Sequence, residues 1–414
     1  MSLPTRRDEL AALDRADPLA PFRDRFALPA GIVYLDGNSL GALPKATPGR
    51  LARVAEHEWG EGLIRSWNTH RWVELPRRVG DKIARLIGAG PGEVLVADST
   101  SVNLFKLLSA ALALRPERRV IVSERDNFPT DLYIAEGLAE QLGRGHSLRL
   151  AAAEEIPAAI REDTAVLMLT HVNYRTGLRH DMAALTRRAH EAGALVLWDL
   201  AHSAGAMPLD LAGCDADFAV GCGYKYLNGG PGAPAFLYVP RRLQERVRSP
   251  LTGWFGHAAP FAFETAYRPA EGILRTMAGT PPVLGLAALE IGVDLALEAD
   301  LAALRGKSER LCGLFQDLVE RDCAGFGLLL VSPREPARRG SQVSFAHPDG
   351  YAVMQALIAR GVIGDFRAPD IMRFGFAPLY ISYRDVWDAA RTLREVLETR
   401  AWDRPEYRTR AAVT

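Results

Sequence analysis

Several short apolar runs in this sequence are each followed closely by polar side chains that could bind a ligand. Residues 94–97 lead to 98–101 (DSTS), and residues 119–123 lead to 127–131 (NFPTD). Later runs end before Thr170, before Asp199 and His202, and before Tyr224 and Lys225. Because ligands of an open parallel sheet bind outside the carboxyl ends of its strands, we expect these side chains to line one crevice.

This set of side chains contains what a pyridoxal phosphate site requires. A phosphate needs hydroxyls and the free N–H groups of a helix start, and Thr100 and Ser101 stand where such a helix begins. The ring needs a carboxylate that keeps its nitrogen protonated and an aromatic neighbour, and Asp199 and Phe128 are available. The aldehyde needs a desolvated lysine amine, for which Lys225 is the candidate.

Each of these residues has a commoner structural interpretation when it is taken alone. Asp199 at a strand end is typical of a helix cap, and Thr100 with Ser101 is typical of a generic helix start. His202 alone would be a hydrogen-bonded core or surface group, and Lys225 alone an exposed lysine. The ordered set, with a polar cluster after each strand, is what favours a cofactor site.

The elements that must position these residues alternate between strands and helices. We predict strands at 31–35, 94–97, 119–123, 165–170, 194–200, 218–221, 235–239 and 342–345, and helices at 104–114, 130–143 and 182–192. This order predicts an α/β fold with a mostly parallel sheet covered on both faces, followed by a smaller α+β domain. We predict an N-terminal arm with part of the small domain over residues 1–52, a large cofactor-binding domain over 53–288 and the C-terminal small domain over 289–414.

Composition excludes several other classes of protein. The 414 residues carry 50 Lys plus Arg and 50 Asp plus Glu, so no net field favours nucleic acid. The four cysteines have no metal-binding spacing, which predicts reduced thiols and no metal site. The apolar runs are too short to cross a membrane, and the first ten residues lack the apolar core of a signal peptide. We therefore expect a soluble, cytoplasmic protein.

Residues 34–41 (YLDGNSLG) resemble the N-terminal signature of kynureninases, which are members of the fold-type I, aspartate aminotransferase-like superfamily. Further blocks match that family in order: 128–131 (FPTD), 199–202 (DLAH), 223–227 (GYKYL), 253–257 (GWFGH) and 372–375 (MRFG). The lysine block is shared across the superfamily, whereas the first block and GWFGH are more specific to kynureninases. The resemblance covers residues 31 to 400 and implies the fold of this superfamily, whose large domain has a seven-stranded type of sheet.

The resemblance also implies roles for individual residues. Lys225 carries the cofactor as a Schiff base, Asp199 pairs with the ring nitrogen, and Tyr224 and His202 complete the catalytic set. Phe128 stacks on the pyridine ring. The implied cofactor-binding residues are Thr100, Ser101, Phe128, Pro129, Thr130, Asp131, Thr170, Asp199, His202, Tyr224, Lys225, Trp254 and Thr280. Of these, Trp254 and Thr280 are expected to come from the partner subunit of a homodimer.

For the substrate, the resemblance implies binding by Arg373, Asn38, Ser39, Trp67 and Phe255. Arg373 would hold an α-carboxylate in a bidentate pair, although by itself it would be interpreted as part of a surface ion pair. The implied reaction hydrolyses L-kynurenine, or 3-hydroxy-L-kynurenine, to anthranilate, or 3-hydroxyanthranilate, and L-alanine. Lys225 is the expected base and Tyr224 a candidate acid. Trp67 and Thr280 favour kynurenine, and the choice between tryptophan catabolism and NAD biosynthesis stays open.

Three alternatives remain at this point. A cysteine desulfurase or selenocysteine lyase shares the fold and the Asp–His–Lys pattern, but it needs a nucleophilic cysteine on a loop, and no cysteine lies between Cys323 and Arg373. Residues 37–41 (GNSLG) fit the G-x-S-x-G pattern of a serine hydrolase, although Pro44 interrupts the helix that should follow. A catalytically inactive homologue that binds pyridoxal phosphate is the non-enzymatic alternative.

Overall fold

The apolar runs of the sequence form strands in the structure, a computed structural model that describes residues 6–411. In chain order the strands are β1 (Val33–Tyr34), β2 (Val94–Val96), β3 (Val120–Glu124), β4 (Ser147–Ala151), β5 (Thr164–Thr170), β6 (Leu195–Asp199), β7 (Phe218–Gly221), β8 (Phe236–Tyr238), β9 (Leu329–Leu330), β10 (Gln342–Ala346), β11 (Val362–Ile363), β12 (Asp365–Arg367) and β13 (Ile371–Gly375). Residues 1–5 lie outside the described residues, and they are part of the segment that is predicted to lack the apolar core of a signal peptide.

Helices separate most of these strands. They are α1 (Arg7–Ala16), α2 (Thr47–Arg53), α3 (Ser66–Thr69), α4 (Leu75–Ile87), α5 (Thr100–Ala113), α6 (Pro129–Leu142), α7 (Ile156–Ala159), α8 (Met182–Glu191), α9 (Arg241–Gln244), α10 (Val283–Glu298), α11 (Leu301–Asp322), α12 (Gly350–Ile358), α13 (Tyr383–Glu398) and α14 (Pro405–Arg408). A π-helix spans Val54–Glu61, and a 3₁₀ helix spans Gly272–Thr276.

The chain divides into two compact units. The larger unit comprises residues 47–173 and 180–297, and the smaller comprises residues 1–46, 174–179 and 298–414, of which 6–46, 174–179 and 298–411 are described. The division into units follows contacts between residues and does not test the predicted functional domains. Their boundaries at 52/53 and 288/289 therefore stay predictions.

The larger unit is built on a seven-stranded sheet with the order β2-β8-β7-β6-β5-β3-β4. Strands β3 to β7 pair in parallel, whereas β8 pairs antiparallel with both β2 and β7. The central strands β5, β6 and β7 are buried along their whole length, and α5 packs its leucines against the same core. The predicted α/β architecture with a mostly parallel sheet is therefore confirmed.

The smaller unit has its own antiparallel sheet, with the order β12-β13-β10-β9. Phe315 of α11 packs against the sheet residues Phe345 and Phe374, at ring-centroid distances of 6.1 and 4.8 Å. The strand predicted at 31–35 is the two-residue β1, which pairs in parallel with β11. In the described part of the chain, no helix combines the length and the apolar character needed to cross a membrane.

Candidate active site

A cavity of about 390 Å³ lies in the larger unit, where the central strands end. Thr170 is the last residue of β5, and Asp199 is the last residue of β6. The predicted site residues that line the cavity are Thr100, Ser101, Phe128, Thr130, Asp131, Thr170, Asp199, His202, Tyr224 and Lys225. The structure therefore brings the polar clusters from separate strand ends into one cavity, whose size suits a small organic ligand.

The N-terminus of α5 forms one wall of this cavity. Ser99 is its N-cap, and the Ser99 side chain accepts a hydrogen bond from the backbone N–H of Val102 at 3.3 Å. Thr100 and Ser101 occupy the first two helical positions, where backbone N–H groups have no acceptor within the helix. Free N–H groups, two hydroxyls and the positive end of the helix dipole together suit a phosphate.

Lys225 is the amine of the cavity. Its Nζ lies 2.9 Å from Nε2 of His202 and 6.0 Å from the centre of the Phe128 ring. The sequence has five lysines, and the others are engaged elsewhere or exposed: Lys45 is exposed, Lys82 pairs with Glu290 and Asp294, Lys106 pairs with Asp98, and Lys307 pairs with Asp17. Lys225 is thus the lysine placed to react with an aldehyde in this cavity.

Two buried carboxyl groups line the cavity: Asp199 at the end of β6 and Asp131 in the first turn of α6. Burial raises the pKa of Asp199, while the charge of Lys225 and a 2.8 Å hydrogen bond from the Ala201 N–H act in the opposite direction. Burial and then the charge of Asp199 raise the pKa of Asp131 well above its usual value. A protonated ring nitrogen beside Asp199 would favour the ionised form of that carboxyl group, as in other paired charges.

Asn127 organises the residues around Phe128, and the sequence analysis did not assign it a role. The side-chain oxygen of Asn127 accepts hydrogen bonds from the backbone N–H of Phe128 at 2.8 Å and from the Thr170 hydroxyl. Its amide donates to the Ser123 hydroxyl at 3.1 Å. The Asn127 side chain is buried, so this network fixes the backbone from which the Phe128 ring projects into the cavity.

Tyr224 lies next to Lys225 in the chain and on the same cavity wall. The Lys225 Nζ is 5.9 Å from the centre of the Tyr224 ring. Burial raises the pKa of the Tyr224 hydroxyl, which therefore stays protonated at neutral pH. A protonated phenol can donate a proton, which is the role the sequence suggests for it.

Other predicted residues of the larger unit lie elsewhere. Pro129 opens α6 between two lining residues, but among the described residues neither it nor Trp254 nor Thr280 lines the cavity. The Trp254 side chain is 40% exposed. Trp67 and Phe255, the predicted aromatic residues of the substrate pocket, do contact each other, with ring centres 5.9 Å apart.

Trp67 is supported by Trp72 and Glu58, two residues that were not identified from the sequence. The Trp72 ring meets Trp67 edge to face at 5.6 Å, and the Trp72 Nε1 donates a hydrogen bond to the carboxylate of Glu58 at 2.9 Å. Arg50 donates to the same carboxylate at 2.6 Å. Glu58 lies in the π-helix, a type of element that is common at functional sites.

Arg373, Asn38 and Ser39 belong to the smaller unit. The side chains of Arg373 and Asp365 are each 2% exposed, so the interpretation of Arg373 as a surface ion pair is wrong. The Arg373 Nε donates to Asp365 at 2.7 Å, and Nη2 donates both to Asp365 and, at 2.9 Å, to Ser39. Nη1 donates to the carbonyl of Tyr174 at 2.6 Å. Asp365, which could not be identified from the sequence, pairs with Arg373 across neighbouring antiparallel strands.

Ser39 does not have the surroundings of a hydrolase nucleophile. It follows the two-residue strand β1, and the next helix begins only at Thr47. Its hydroxyl donates to the Asp365 carboxylate at 2.7 Å. The strand–turn–helix of a nucleophile elbow is missing between residues 33 and 46, which are all described, so the hydrolase alternative is wrong.

The residues of this cavity fit pyridoxal phosphate. The cavity is lined by a helix start with two hydroxyls, which suits the phosphate, and by a buried carboxylate, which suits the ring nitrogen. An aromatic ring suits the ring face, and a lysine suits the aldehyde. Among residues 6–411, no cluster of three or more His, Cys, Asp or Glu side chains could hold a metal ion.

Comparisons with known proteins agree with this geometry. Residues 304–393 match the model of the kynureninase C-terminal domain. The chain is 59% identical to a kynureninase of Burkholderia pseudomallei (strain 1106a), over 99% of both chains, and 57% identical to one of Pseudomonas fluorescens, over 99% of this chain and 100% of that protein. The solved apo structure of a cysteine desulfurase from Thermococcus onnurineus NA1 superposes with a TM-score of 0.77 at 20% identity, covering 92% of this chain and 98% of the other.

The structural likeness confirms the predicted fold type, and at this low identity it shows the fold alone. The sequence likeness extends over nearly the whole chain and includes the blocks around Lys225 and Arg373. On this ground, the chain belongs to the kynureninase family.

Proposed function

We propose that the protein is a pyridoxal-phosphate-dependent kynureninase that hydrolyses the Cβ–Cγ bond of L-kynurenine to give anthranilate and L-alanine. The observation that carries this proposal is the position of Lys225 in a strand-end cavity of a chain so similar to kynureninases. The family match supports the reaction, and the cavity supports the cofactor.

The cofactor would be held by residues of the cavity in the larger unit. Thr100, Ser101 and the start of α5 would bind its phosphate, and the Phe128 ring would cover its pyridine face. When bound, it supplies an electron-withdrawing ring that stabilises negative charge at the substrate α-carbon. Asp199 holds a proton on the ring nitrogen, because an anionic carboxylate stabilises the cationic form of its neighbour.

The chain's own acids and bases move the remaining protons. Lys225 removes the proton from the substrate α-carbon, and His202, 2.9 Å from its Nζ, holds the amine in position. Water adds to the γ-carbonyl carbon of the substrate, and the Cβ–Cγ bond then breaks, which releases anthranilate and leaves the electron pair of that bond on the alanine fragment. The Tyr224 hydroxyl, which burial keeps protonated, then supplies a proton to the alanine fragment.

Arg373 is proposed to bind the α-carboxylate of the substrate. Of its five N–H groups, one on Nε and one on Nη2 are taken by Asp365, while Ser39 and the Tyr174 carbonyl each accept another. One N–H group on Nη1 remains available to the substrate. The N–H group on Nη2 that donates to Ser39 could donate to the substrate carboxylate instead. A carboxylate could therefore approach the Nη1–Nη2 edge while Asp365 keeps the guanidinium oriented.

Arg373→Lys should raise KM for L-kynurenine about 10- to 100-fold, because a hydrogen bond to a charged group contributes about 1.5–3 kcal/mol and lysine cannot reproduce the paired geometry. Lysine keeps a positive charge beside the buried Asp365, so the fold should tolerate it better than alanine. Steady-state kinetics with the cofactor absorbance as a reference measures the effect. Arg339→Lys, at a second buried arginine of the smaller unit, is the control. An unchanged KM in Arg373→Lys rejects the carboxylate role.

We also propose that the protein is a homodimer in which Trp254 and Thr280 of one subunit reach the site of the other. An exposed aromatic cluster supports this: Phe261 and Phe263 are 57% and 75% exposed, and their rings lie 5.6 and 6.3 Å from that of Trp254. Exposed apolar clusters of this kind are typical of interaction surfaces.

Shared sites can be tested by complementation between inactive subunits. Lys225→Ala and Trp254→Ala are each expected to lose most activity as homodimers. When the two are co-expressed, a mixed dimer has one site with both Lys225 and Trp254 intact, so activity should rise well above that of either parent. Activity no greater than the average of the parents would contradict shared sites.

The cysteine desulfurase alternative is disfavoured by the thiols of this chain. A nucleophilic cysteine needs an exposed, low-pKa thiol. Burial instead raises the pKa of all four: Cys214, Cys222, Cys312 and Cys323, the last to about 12. The free, largely buried thiols also support the proposed cytoplasmic location.

The reaction is tested by giving the purified protein, supplied with pyridoxal phosphate, L-kynurenine and L-cysteine in separate assays. We expect anthranilate and alanine in equal amounts from kynurenine, and no sulfide from cysteine. Sulfide without anthranilate would establish the desulfurase instead. Cofactor binding without turnover of either substrate would identify an inactive homologue. A higher kcat/KM for kynurenine than for 3-hydroxykynurenine is expected from Trp67 and Thr280.

A further inference from the structure

Lys106 is a buried lysine to which the proposed reaction assigns no role. It is the one charged residue of helix α5, and its side chain is 1% exposed. The Lys106 Nζ donates to the carboxylate of Asp98 at 2.7 Å and to the backbone carbonyl of Thr276 at 2.8 Å. A lysine is seldom buried unless it is paired, so this position calls for an explanation.

Asp98 connects Lys106 to the cofactor cavity. It precedes the N-cap Ser99 of α5 and lines the cavity together with Thr100 and Ser101. Its backbone has a φ of +52°, a left-handed conformation that Asp and Asn adopt more readily than most other non-glycine residues. The Asp98 carbonyl accepts a hydrogen bond from the Ala235 N–H at 2.9 Å. The turn that presents the start of α5 is therefore held by contacts on both sides.

The positive charge of Lys106 also affects the electrostatics of the cavity wall at Asp98. A carboxylate on the wall that receives a phosphate would repel it, because like charges at close range are unfavourable. The Lys106 ammonium group, 2.7 Å from that carboxylate, offsets this repulsion. Burial lowers the pKa of Lys106, and the charge of Asp98 opposes that shift, so the Asp98 carboxylate favours the charged form of the Lys106 amine.

We propose that Lys106 is a positioning residue for the phosphate of the cofactor: it anchors Asp98 in the left-handed turn before α5 and neutralises the Asp98 carboxylate beside the phosphate. This inference rests on the proposed binding of pyridoxal phosphate with its phosphate at Thr100 and Ser101. Through Thr276, Lys106 also ties this turn to the Gly272–Thr276 helix, which precedes Thr280 in the chain.

The role can be separated from a general effect on stability by comparing two ligands. Pyridoxal phosphate and pyridoxal share the ring and the aldehyde, and only the first carries the phosphate. Lys106→Met should weaken binding of pyridoxal phosphate about tenfold, which corresponds to about 1.4 kcal/mol, and should change binding of pyridoxal less than about twofold. Equilibrium dialysis of the full-length protein against each ligand, read by absorbance, gives both affinities.

A second substitution tests the charge part of the argument. In the double variant Lys106→Met, Asp98→Asn, the repelling carboxylate is gone, and Asn is among the non-glycine residues that tolerate positive φ best. We expect this variant to recover part of the affinity for pyridoxal phosphate. A purely structural role for Lys106 predicts no recovery, because Asp98→Asn does not restore the hydrogen bonds by which Lys106 anchors the turn.

Lys82→Met is the matched control: Lys82 is also an ion-paired lysine of the larger unit, but its partners Glu290 and Asp294 do not line the cavity, whereas Asp98 does. It should leave both affinities unchanged. If Lys106→Met does not fold, Lys106→Gln takes its place with the same expected selectivity. An equal loss for both ligands, or no loss for either, overturns the proposal. Failure of the unaltered protein to bind pyridoxal phosphate would instead overturn the proposed function.

Discussion

Lys225→Ala is expected to reduce kcat with L-kynurenine by more than about 10⁴-fold, since a general base alone contributes about 10² to 10⁴ and this substitution also removes the covalent attachment of the cofactor. Among residues 6–411, the other lysines of the larger unit are not available as substitute amines. Lys106 is held by Asp98 and Thr276, and Lys82 is held by Glu290 and Asp294. Single-turnover and steady-state assays of anthranilate release measure the loss.

Lys45→Ala is the control for this experiment, because Lys45 is exposed and should be replaceable without effect. The Lys225→Ala protein should keep its fold, since the Lys225 amine contacts a cavity wall and not the core. Retention of a tenth or more of the activity of the unaltered protein would reject Lys225 as the base and the cofactor lysine.

Asp199→Asn should reduce kcat about 10²- to 10⁴-fold, because loss of one partner of a buried ion pair costs about 3–5 kcal/mol and each 1.36 kcal/mol of barrier is tenfold in rate. Asparagine has the same shape, and its oxygen can still accept the Ala201 N–H. What it lacks is the negative charge that keeps the ring nitrogen protonated. A shift in cofactor absorbance should accompany the loss of rate.

The control is Asp217→Asn, at another buried aspartate of the same unit. Asp217 pairs with His190 and Arg242 and accepts the Val196 N–H, and it does not line the cavity. This substitution should lower stability without changing the cofactor spectrum. If Asp199→Asn and Asp217→Asn affect turnover equally, the proposed role of Asp199 is contradicted.

The sequence was sufficient to predict the parts of the site that follow from strand order. Thr170 and Asp199 end adjacent parallel strands, and Tyr224 and Lys225 follow the next strand, so one rule about strand ends brings them together. The buried central strands were recognisable because both of their faces are covered, which makes their sequences continuously apolar.

Strand β4 was missed for the complementary reason. It is the edge strand of the large sheet, pairs only with β3 there, and is largely exposed or half-buried. Its sequence alternates and includes Arg149, so it lacks the continuous apolar run that marks the other strands. An edge strand with one solvated face does not need such a run.

The supporting contacts of the site were also beyond sequence reasoning. Lys106 meets Thr276, and Ser39 meets Arg373, across separations of 170 and 334 residues. No periodicity or local motif encodes such pairs, because they arise only when the chain is folded. The one signal that could have indicated the Lys106–Thr276 contact is a single charged residue in an otherwise uncharged helix, as at Lys106.

The most direct test of the account is to identify the lysine that carries the cofactor. The purified protein is saturated with pyridoxal phosphate, reduced with borohydride to fix the Lys–cofactor bond, digested and analysed by mass spectrometry. We expect a phosphopyridoxyl group on Lys225. Its appearance on Lys45, Lys82, Lys106 or Lys307, or on no lysine of the saturated protein, would show that Lys225 does not carry the cofactor.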